Sequence, residues 1–270
     1  MAFPKARALT DMLAAPVVAA AVTEEDRREL AGELRARLHG LLPAGAAGGR
    51  LTVSGYLLRS PSAERSTPFR WSPRTARRTI GLAAARRCLG PGRLAPATAV
   101  AVVIGELAAE GRRGLGRSGS VAGWLAGLPG GGRAAVQVEA TGWCTTLLEA
   151  VEWDRLAGAD VGPPDRWWAV GGVSLRGRAD VRLGLAGPGG GGAGGRGLLT
   201  VVAGWPGPGS RVELGLAALV AAVGGGEVPG RVVGWWPECG RAVAVAVDRG
   251  LLQATAAVVV ATVREVRQAG

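Results

Sequence analysis

The chain has 270 residues, and its 32 basic side chains outnumber 21 acidic ones, which gives a formal net charge of +11. A hydrophobic content of 48% excludes a wholly disordered chain, because that much apolar surface can be buried in a core. One histidine, His39, and three widely separated cysteines exclude a Cys/His zinc module and a disulfide framework. This cysteine usage is typical of a reducing cytoplasm, where we expect the protein to act.

The N-terminal segment allows two interpretations. No stretch of about 18 apolar residues occurs, so we expect neither a membrane span nor a membrane partner. Lys5 and Arg7 precede an apolar run from Met12 to Val22, as in a secretory signal, but Asp11 and Pro16 interrupt the pattern. The segment is therefore either an export signal or an N-terminal extension that docks or frays.

In chain order, the first predicted helix follows the N-cap Thr23 and three acidic residues. Leucines recur along it at four-residue spacing until Gly40, which predicts an amphipathic helix of about four turns. These leucines are Leu30, Leu34 and Leu38. The next segment, Arg50 to Leu58, favours a strand, and Ser60 to Thr67 favours a polar loop.

The dipeptide Ser72-Pro73 is typical of a helix N-terminus, with serine as the cap and proline in the first turn. It predicts a helix that ends near Leu89, where a Gly-Pro-Gly sequence follows. A further apolar helix is predicted from Ala97 to Glu110, and a linker from Gly111 to Ser120. Residues 1–120 are thus expected to form a mainly helical, arginine-rich region.

The middle of the chain changes from helical to strand periodicity. A long helix is predicted from Arg133 to Trp153, with an apolar stripe on one face. The segment Val173 to Leu185 alternates apolar and polar residues, which predicts one half-buried strand. We interpret Gly187 to Gly197 as a hairpin loop and the apolar run Leu198 to Ala203 as a central strand.

The last part of the chain predicts a helix, two strands and a final helix. The helix spans Ser210 to Val223, and the strands span Val232 to Trp236 and Ala242 to Val247. The final helix spans Leu251 to Val266. Residues 121–270 are therefore expected to form an α/β domain.

The basic charge is concentrated in the first 120 residues, whose 19 basic and 9 acidic side chains give +10. Such a surface favours a polyanion partner, because neutralised phosphates release counterions and arginine binds phosphate through two N–H groups. A solvated face, or arginines paired with the chain's own acids, is the alternative. The predicted nucleic-acid-binding residues are Arg70, Arg74, Arg77, Arg78 and Arg86.

The segment Leu175-Arg176-Gly177-Arg178-Ala179-Asp180-Val181-Arg182 resembles the Gly-x-x-Asp strand of RecB-like nucleases in the PD-(D/E)XK superfamily. The predicted elements around it also follow the order of that family, from an acidic helix to a strand, a crossover helix and final strands. The resemblance covers residues 130–267. It implies a restriction-endonuclease-like α/β fold, with a mixed sheet core flanked by helices.

Members of this family hold one or two Mg²⁺ ions with carboxylates, and the ions activate water for phosphodiester hydrolysis. By resemblance, Asp180 matches the first metal-binding aspartate and Glu139 the carboxylate of the preceding helix. The second motif departs from the family, because Ala203-Gly204-Trp205-Pro206-Gly207 stands where a carboxylate and a lysine are expected. Arg211 or Glu213 on the following helix is a candidate for the missing roles.

These observations lead to three hypotheses. The first is a non-catalytic nuclease-like module without a cofactor, which binds nucleic acid (DNA above all) beside a helicase or nuclease subunit in a DNA-processing or defence assembly. The second is a Mg²⁺-dependent nuclease, with Asp180, Glu139 and Glu213 as catalytic residues and Asp180 as the metal ligand. The third is a protein-interaction module with an acidic protein partner.

Two pairs of adjacent tryptophans, Trp167-Trp168 and Trp235-Trp236, are further candidates. On a strand, one member of each pair is expected to point inward and the other outward, where it can stack on bases or anchor a partner protein. Packing in the core or in a hairpin is the more common alternative. For Asp180, an ion pair with Arg178 or Arg182 across the strand face is the alternative to metal binding.

Overall fold

The computed structural model describes residues 6–15, 22–41, 50–59, 70–115, 119–156, 158–183, 197–202 and 204–268. These residues form two compact units. The sheet unit contains the described residues between 11 and 67 and between 163 and 270, and the helical unit those between 5 and 10 and between 68 and 162. The chain is thus not divided at residue 120, because residues 121–162 group with the helices that precede them. The predicted loops at Ser60–Thr67 and at 187–196 lie outside the described residues.

The N-terminal elements are helix α1 (Ala6–Ala14), helix α2 (Glu24–Leu38), strand β1 (Leu51–Val53) and helix α3 (Gly55–Arg59). The prediction of α2 is confirmed, and a capping box closes its start. The Asp26 N–H donates to the Thr23 hydroxyl, and the Thr23 N–H donates to the Asp26 carboxylate. The strand predicted to continue to Leu58 is wrong beyond Val53, because the Ser54 carbonyl accepts the Leu58 N–H and opens a helical turn.

The helical unit contains helix α4 (Pro73–Leu89), helix α5 (Pro96–Arg112), helix α6 (Val121–Ala126), helix α7 (Gly130–Glu149) and strand β2 (Ala159–Val161). The predicted start of α4 is confirmed, since the Ser72 hydroxyl accepts the Thr75 N–H at 3.2 Å. The predicted linker is shorter than expected, because α5 continues to Arg112 and Ser120 caps α6 by accepting the Gly123 N–H.

The sheet unit continues with strands β3 (Arg166–Val170), β4 (Val173–Gly177), β5 (Val181–Leu183) and β6 (Gly197–Val201), helix α8 (Ser210–Val223), strands β7 (Arg231–Trp236) and β8 (Arg241–Ala246), and helix α9 (Arg249–Gln268). One sheet has the order β1-β4-β3, and in the other β5, β6, β7 and β8 lie side by side. The β1–β4 and β6–β7 pairs are parallel, and the remaining pairs are antiparallel. The predicted mixed α/β class is confirmed.

The single strand predicted from Val173 to Leu185 is wrong, because two strands of different sheets occupy this segment. The first, β4, pairs with β1 and β3, whereas β5 pairs with β6. The chain is held on β6 by the Asp180 N–H, which donates to the Leu199 carbonyl at 2.8 Å. A continuous alternating pattern therefore hides a change of sheet.

The core of the sheet unit joins the leucines of α2 to α8, α9 and residues of both sheets. The expectation for the first tryptophan pair is confirmed, since Trp168 is buried and Trp167 is 54% exposed. The expectation for the second pair is wrong: Trp235 and Trp236 are both buried. The reason is that both faces of β7 are covered, so every β7 residue from Val232 onward is buried.

None of the helices in the described ranges has both the length and the apolar character that crossing a bilayer requires.

Candidate nucleic-acid interface and metal site

Asp180 is completely buried beside β6. Its Oδ2 accepts the Val201 N–H at 2.7 Å, while its own N–H donates to the Leu199 carbonyl. The Asp180 carboxylate therefore ties the entry of β5 to β6.

The other two carboxylates of the predicted metal site have contacts of their own. Glu213 lies half-buried in the first turn of α8 and covers the start of α3, where a Cβ placed on Gly55 would lie 2.8 Å from the Glu213 Cγ. Glu139 belongs to α7 of the helical unit, and its Oε2 lies 3.3 Å from Nη1 of Arg77. In the part of the chain that the structure describes, no three His, Cys, Asp or Glu side chains form a group that could hold a metal ion.

Backbone N–H groups at the end of β6 and just after it have partners near the end of β7. The Val202 N–H donates to the Trp235 carbonyl, and the Gly204 N–H donates to Oε2 of Glu238 at 2.9 Å. Glu238 lies in the turn after β7 and was not among the predicted site residues. Trp205 is 65% exposed. The segment thus presents an exposed aromatic side chain after β6.

The buried thiol of Cys144 is no candidate nucleophile. Burial raises the pKa of Cys144 to about 12, and burial also raises the pKa of Cys88. Thiolate is the reactive form, so Cys144 stays protonated and unreactive at neutral pH.

The start of α4 carries the exposed part of the predicted arginine face. Arg70 and Arg74 are exposed on the two sides of the Ser72 cap, and Arg78 is half-buried one turn further on. The first turn of α4 contains no acidic residue, whereas that of α2 contains three. Because a helix N-terminus has partial positive charge, α4 adds basic side chains to a positive pole.

The structure shows the partners of Arg77 and Arg86 within the protein. Arg77 pairs with Glu139, as described above. Arg86 donates from Nε to the Val161 carbonyl at 2.9 Å and from Nη2 to the Gly162 carbonyl at 2.6 Å. These two arginines therefore follow the alternative interpretation, in which arginines bind groups of the chain itself.

A cleft that the sequence analysis did not predict lies in the sheet unit. Arg166 from β3, Arg178 from the link after β4 and Arg182 from β5 line it, together with Glu227. We call it the arginine cleft; its volume is about 440 Å³, including the part open to solvent. The sequence contains arginines at positions 176, 178 and 182, close together along the chain. The prediction of one continuous strand concealed that these positions belong to β4, to the link after it and to β5.

No protein-family model, characterised protein or solved structure matches this chain.

Proposed function

We propose that this chain is a non-catalytic, nuclease-like module that binds nucleic acid, DNA above all, through the arginines at the start of α4. The observation that carries the proposal is the exposed pair Arg70 and Arg74 at the positive end of a helix whose first turn has no acid. An anionic partner complements basic side chains at the positive end of a helix. A phosphate backbone also gains counterion release from each arginine.

The pairing of β5, β6 and β7 supports a restriction-endonuclease-like core. The β5–β6 pair is antiparallel, and α8 connects β6 to the parallel strand β7. In the nuclease family a hairpin of this kind brings the metal-binding aspartate beside the second motif, and here Asp180 is bonded to Val201 of β6. The arrangement differs at α7, which belongs to the helical unit.

The donor set does not fit a Mg²⁺ site. Such a site needs several carboxylate oxygens directed at one point. Oδ2 of Asp180 accepts a backbone N–H, Glu139 is paired with Arg77, and Ala203-Gly204-Trp205-Pro206-Gly207 contains neither a carboxylate nor a lysine. We therefore expect binding without cleavage, with catalysis left to a helicase or nuclease subunit beside this module.

The binding proposal is tested with two double variants that lose the same charge. Fluorescence anisotropy compares a labelled DNA duplex on the intact chain, on Arg70→Ala/Arg74→Ala and on Arg264→Ala/Arg267→Ala, whose arginines are exposed on α9. We expect the α4 variant to lose affinity about tenfold or more and the α9 variant to stay near the intact chain. Equal losses in the two variants would show that binding follows net charge alone.

Cleavage is tested by incubating labelled single- and double-stranded DNA with the chain and Mg²⁺ or Mn²⁺. We expect no products. Cleavage that disappears in Asp180→Asn would establish the nuclease hypothesis instead. Failure to bind DNA at low salt, combined with capture of an acidic protein, would establish the protein-interaction hypothesis.

A further inference from the structure

The geometry points to a second anion site in this protein: the arginine cleft, in which Arg166, Arg178 and Arg182 bind a phosphoryl group. We call exposed Arg70 and Arg74, at the start of α4, the α4 surface. The cleft shares no residue with it. The inference goes beyond the proposed function and stands even if the α4 surface binds no nucleic acid.

The guanidinium groups of the cleft have few acceptors inside the protein. Nε of Arg178 is buried, and no acceptor within the described chain reaches it. Arg182 makes no hydrogen bond or ion pair with the described residues, and Arg166 donates only to the Glu227 carbonyl, at 3.2 Å. A buried cationic donor without an acceptor is costly, so an anion from solution stabilises this arrangement.

Arginines elsewhere in the sheet unit are satisfied internally. Arg27 donates to the carbonyls of Ala222 and Gly226, and Arg231 donates to those of Met12 and Ala15. The chain therefore supplies acceptors where an arginine has a structural role. Among the described residues, the arginine cleft offers its guanidinium groups the Glu227 carbonyl alone, which separates it from these structural positions.

The charges in the cleft repel one another. Burial, together with the charge of nearby Arg182, lowers the pKa of Arg166. Among the lining residues that the structure describes, exposed Glu227 is the one acidic residue against three arginines, a balance of +2. A phosphate dianion carries the opposite charge and accepts hydrogen bonds on three oxygens.

The walls of the cleft suit a compact anion. Gly177, Ala217 and Ala221 form part of the lining, so backbone and methyl groups make up part of the wall beside the arginines. Arginine forks match the tetrahedral oxygens of a phosphoryl group. A small phosphorylated molecule and the terminal phosphate of a nucleic acid present this same group.

Isothermal titration calorimetry of the intact chain with inorganic phosphate and with pyrophosphate tests the site. Arg178→Gln and Arg182→Gln each remove one guanidinium, and Arg264→Gln on α9 is the control of equal charge loss. We expect the intact chain and the control to bind with equal affinity. Each cleft variant should raise Kd about tenfold or more, since each loses hydrogen bonds to a charged group.

A second arm identifies the source of the phosphoryl group. In the Arg70→Ala/Arg74→Ala background, a 5′-phosphorylated oligonucleotide is compared with its 5′-hydroxyl counterpart. Preference for the phosphorylated end identifies a nucleic-acid terminus, and equal weak binding beside tight pyrophosphate binding identifies a small phosphorylated compound.

Thermal unfolding shows which variants are folded, and Arg182→Gln keeps the test valid if Arg178→Gln fails to fold. The inference is overturned if neither anion binds the intact chain, or if a folded Arg182→Gln binds pyrophosphate as tightly as the control. Tighter binding of polyglutamate than of pyrophosphate overturns it as well, in favour of an acidic protein.

Discussion

The arginines of this chain act in two different ways at the scale of single residues. Arg27, Arg86 and Arg231 each donate to two backbone carbonyls of distant segments and hold those segments in place. Arg70 and Arg74 lie exposed at the start of α4, a position that we propose for anion binding. The net charge of +11 therefore overstates the charge available to a partner, and only position in the fold separates the two roles.

Arg86→Ala tests the structural role directly. It removes two hydrogen bonds from a charged donor to the Val161 and Gly162 carbonyls, so we expect a loss of about 2 kcal/mol in the free energy of unfolding. Its neighbour Arg87 forms a surface ion pair with Glu106, and Arg87→Ala should cost less than about 1 kcal/mol. Urea denaturation measures both variants, and equal losses would contradict the assigned role of Arg86.

At the scale of elements, α2 and α4 begin with the same capping device and opposite charge. Both have a capping box, at Thr23 and at Ser72. The acids of α2 complement its dipole, and Arg249 of α9 pairs with Asp26 and Glu29 there. The arginines of α4 do the reverse. The capping boxes therefore stabilise the starts of both helices. The two first turns differ in charge: the acids of α2 bind an arginine of the chain, and the arginines of α4 favour an anion from outside it.

The free energy of unfolding at acidic pH should depend on the interactions at the start of α2. Hydrogen bonds from Thr23, with the Arg249 ion pair, hold the pKa of Asp26 below its usual 3.8. Because the pKa of Asp26 is lower in the folded protein than in the unfolded chain, its carboxylate stabilises the fold fully at any pH above the unfolded pKa. This stabilisation is lost as pH falls through the folded pKa. The stability difference between the protein and Asp26→Asn should be constant near neutral pH and shrink below about pH 4. A difference that does not change with pH would contradict this assignment.

The contact of β4 with α8 depends on a glycine. A Cβ at Gly177 would lie 2.8 Å from the Val220 Cβ, so Gly177→Ala should destabilise the protein by about 1–3 kcal/mol. Gly32, exposed in the middle of α2, has no atom within 4 Å of an added Cβ. Gly32→Ala should therefore stabilise by about 0.4–1 kcal/mol. Thermal and urea unfolding measure the change in stability of each variant. Equal changes in the two variants would contradict the close approach of β4 to α8 at Gly177.

At the scale of the whole molecule, the sequence predicted those structural features that depend on residues close together along the chain. Thr23 and Ser72 cap their helices within three residues, and such contacts are encoded locally. The break between β4 and β5 depends on partners from other parts of the chain, so alternation alone could not reveal it. For the candidate site, the resemblance predicted Asp180 beside the following strand. The role of Arg86, whose acceptor lies 75 residues away, was beyond local signals.

The two units together present basic surfaces on a scaffold without a metal-binding group among its described side chains. The anion binding that we propose for the α4 surface and for the arginine cleft depends on different residues. Their contributions are therefore separable by mutation, and only the α4 surface enters the proposed function.

The salt dependence of DNA affinity tests the central claim most directly. Anisotropy titrations of the intact chain across a range of KCl concentrations give the slope of log K against log salt. The account predicts a steep fall in affinity, and a slope that is shallower by about 0.9 for each phosphate that Arg70→Ala/Arg74→Ala no longer neutralises. Affinity that is independent of salt, or a slope unchanged in that variant, would contradict it.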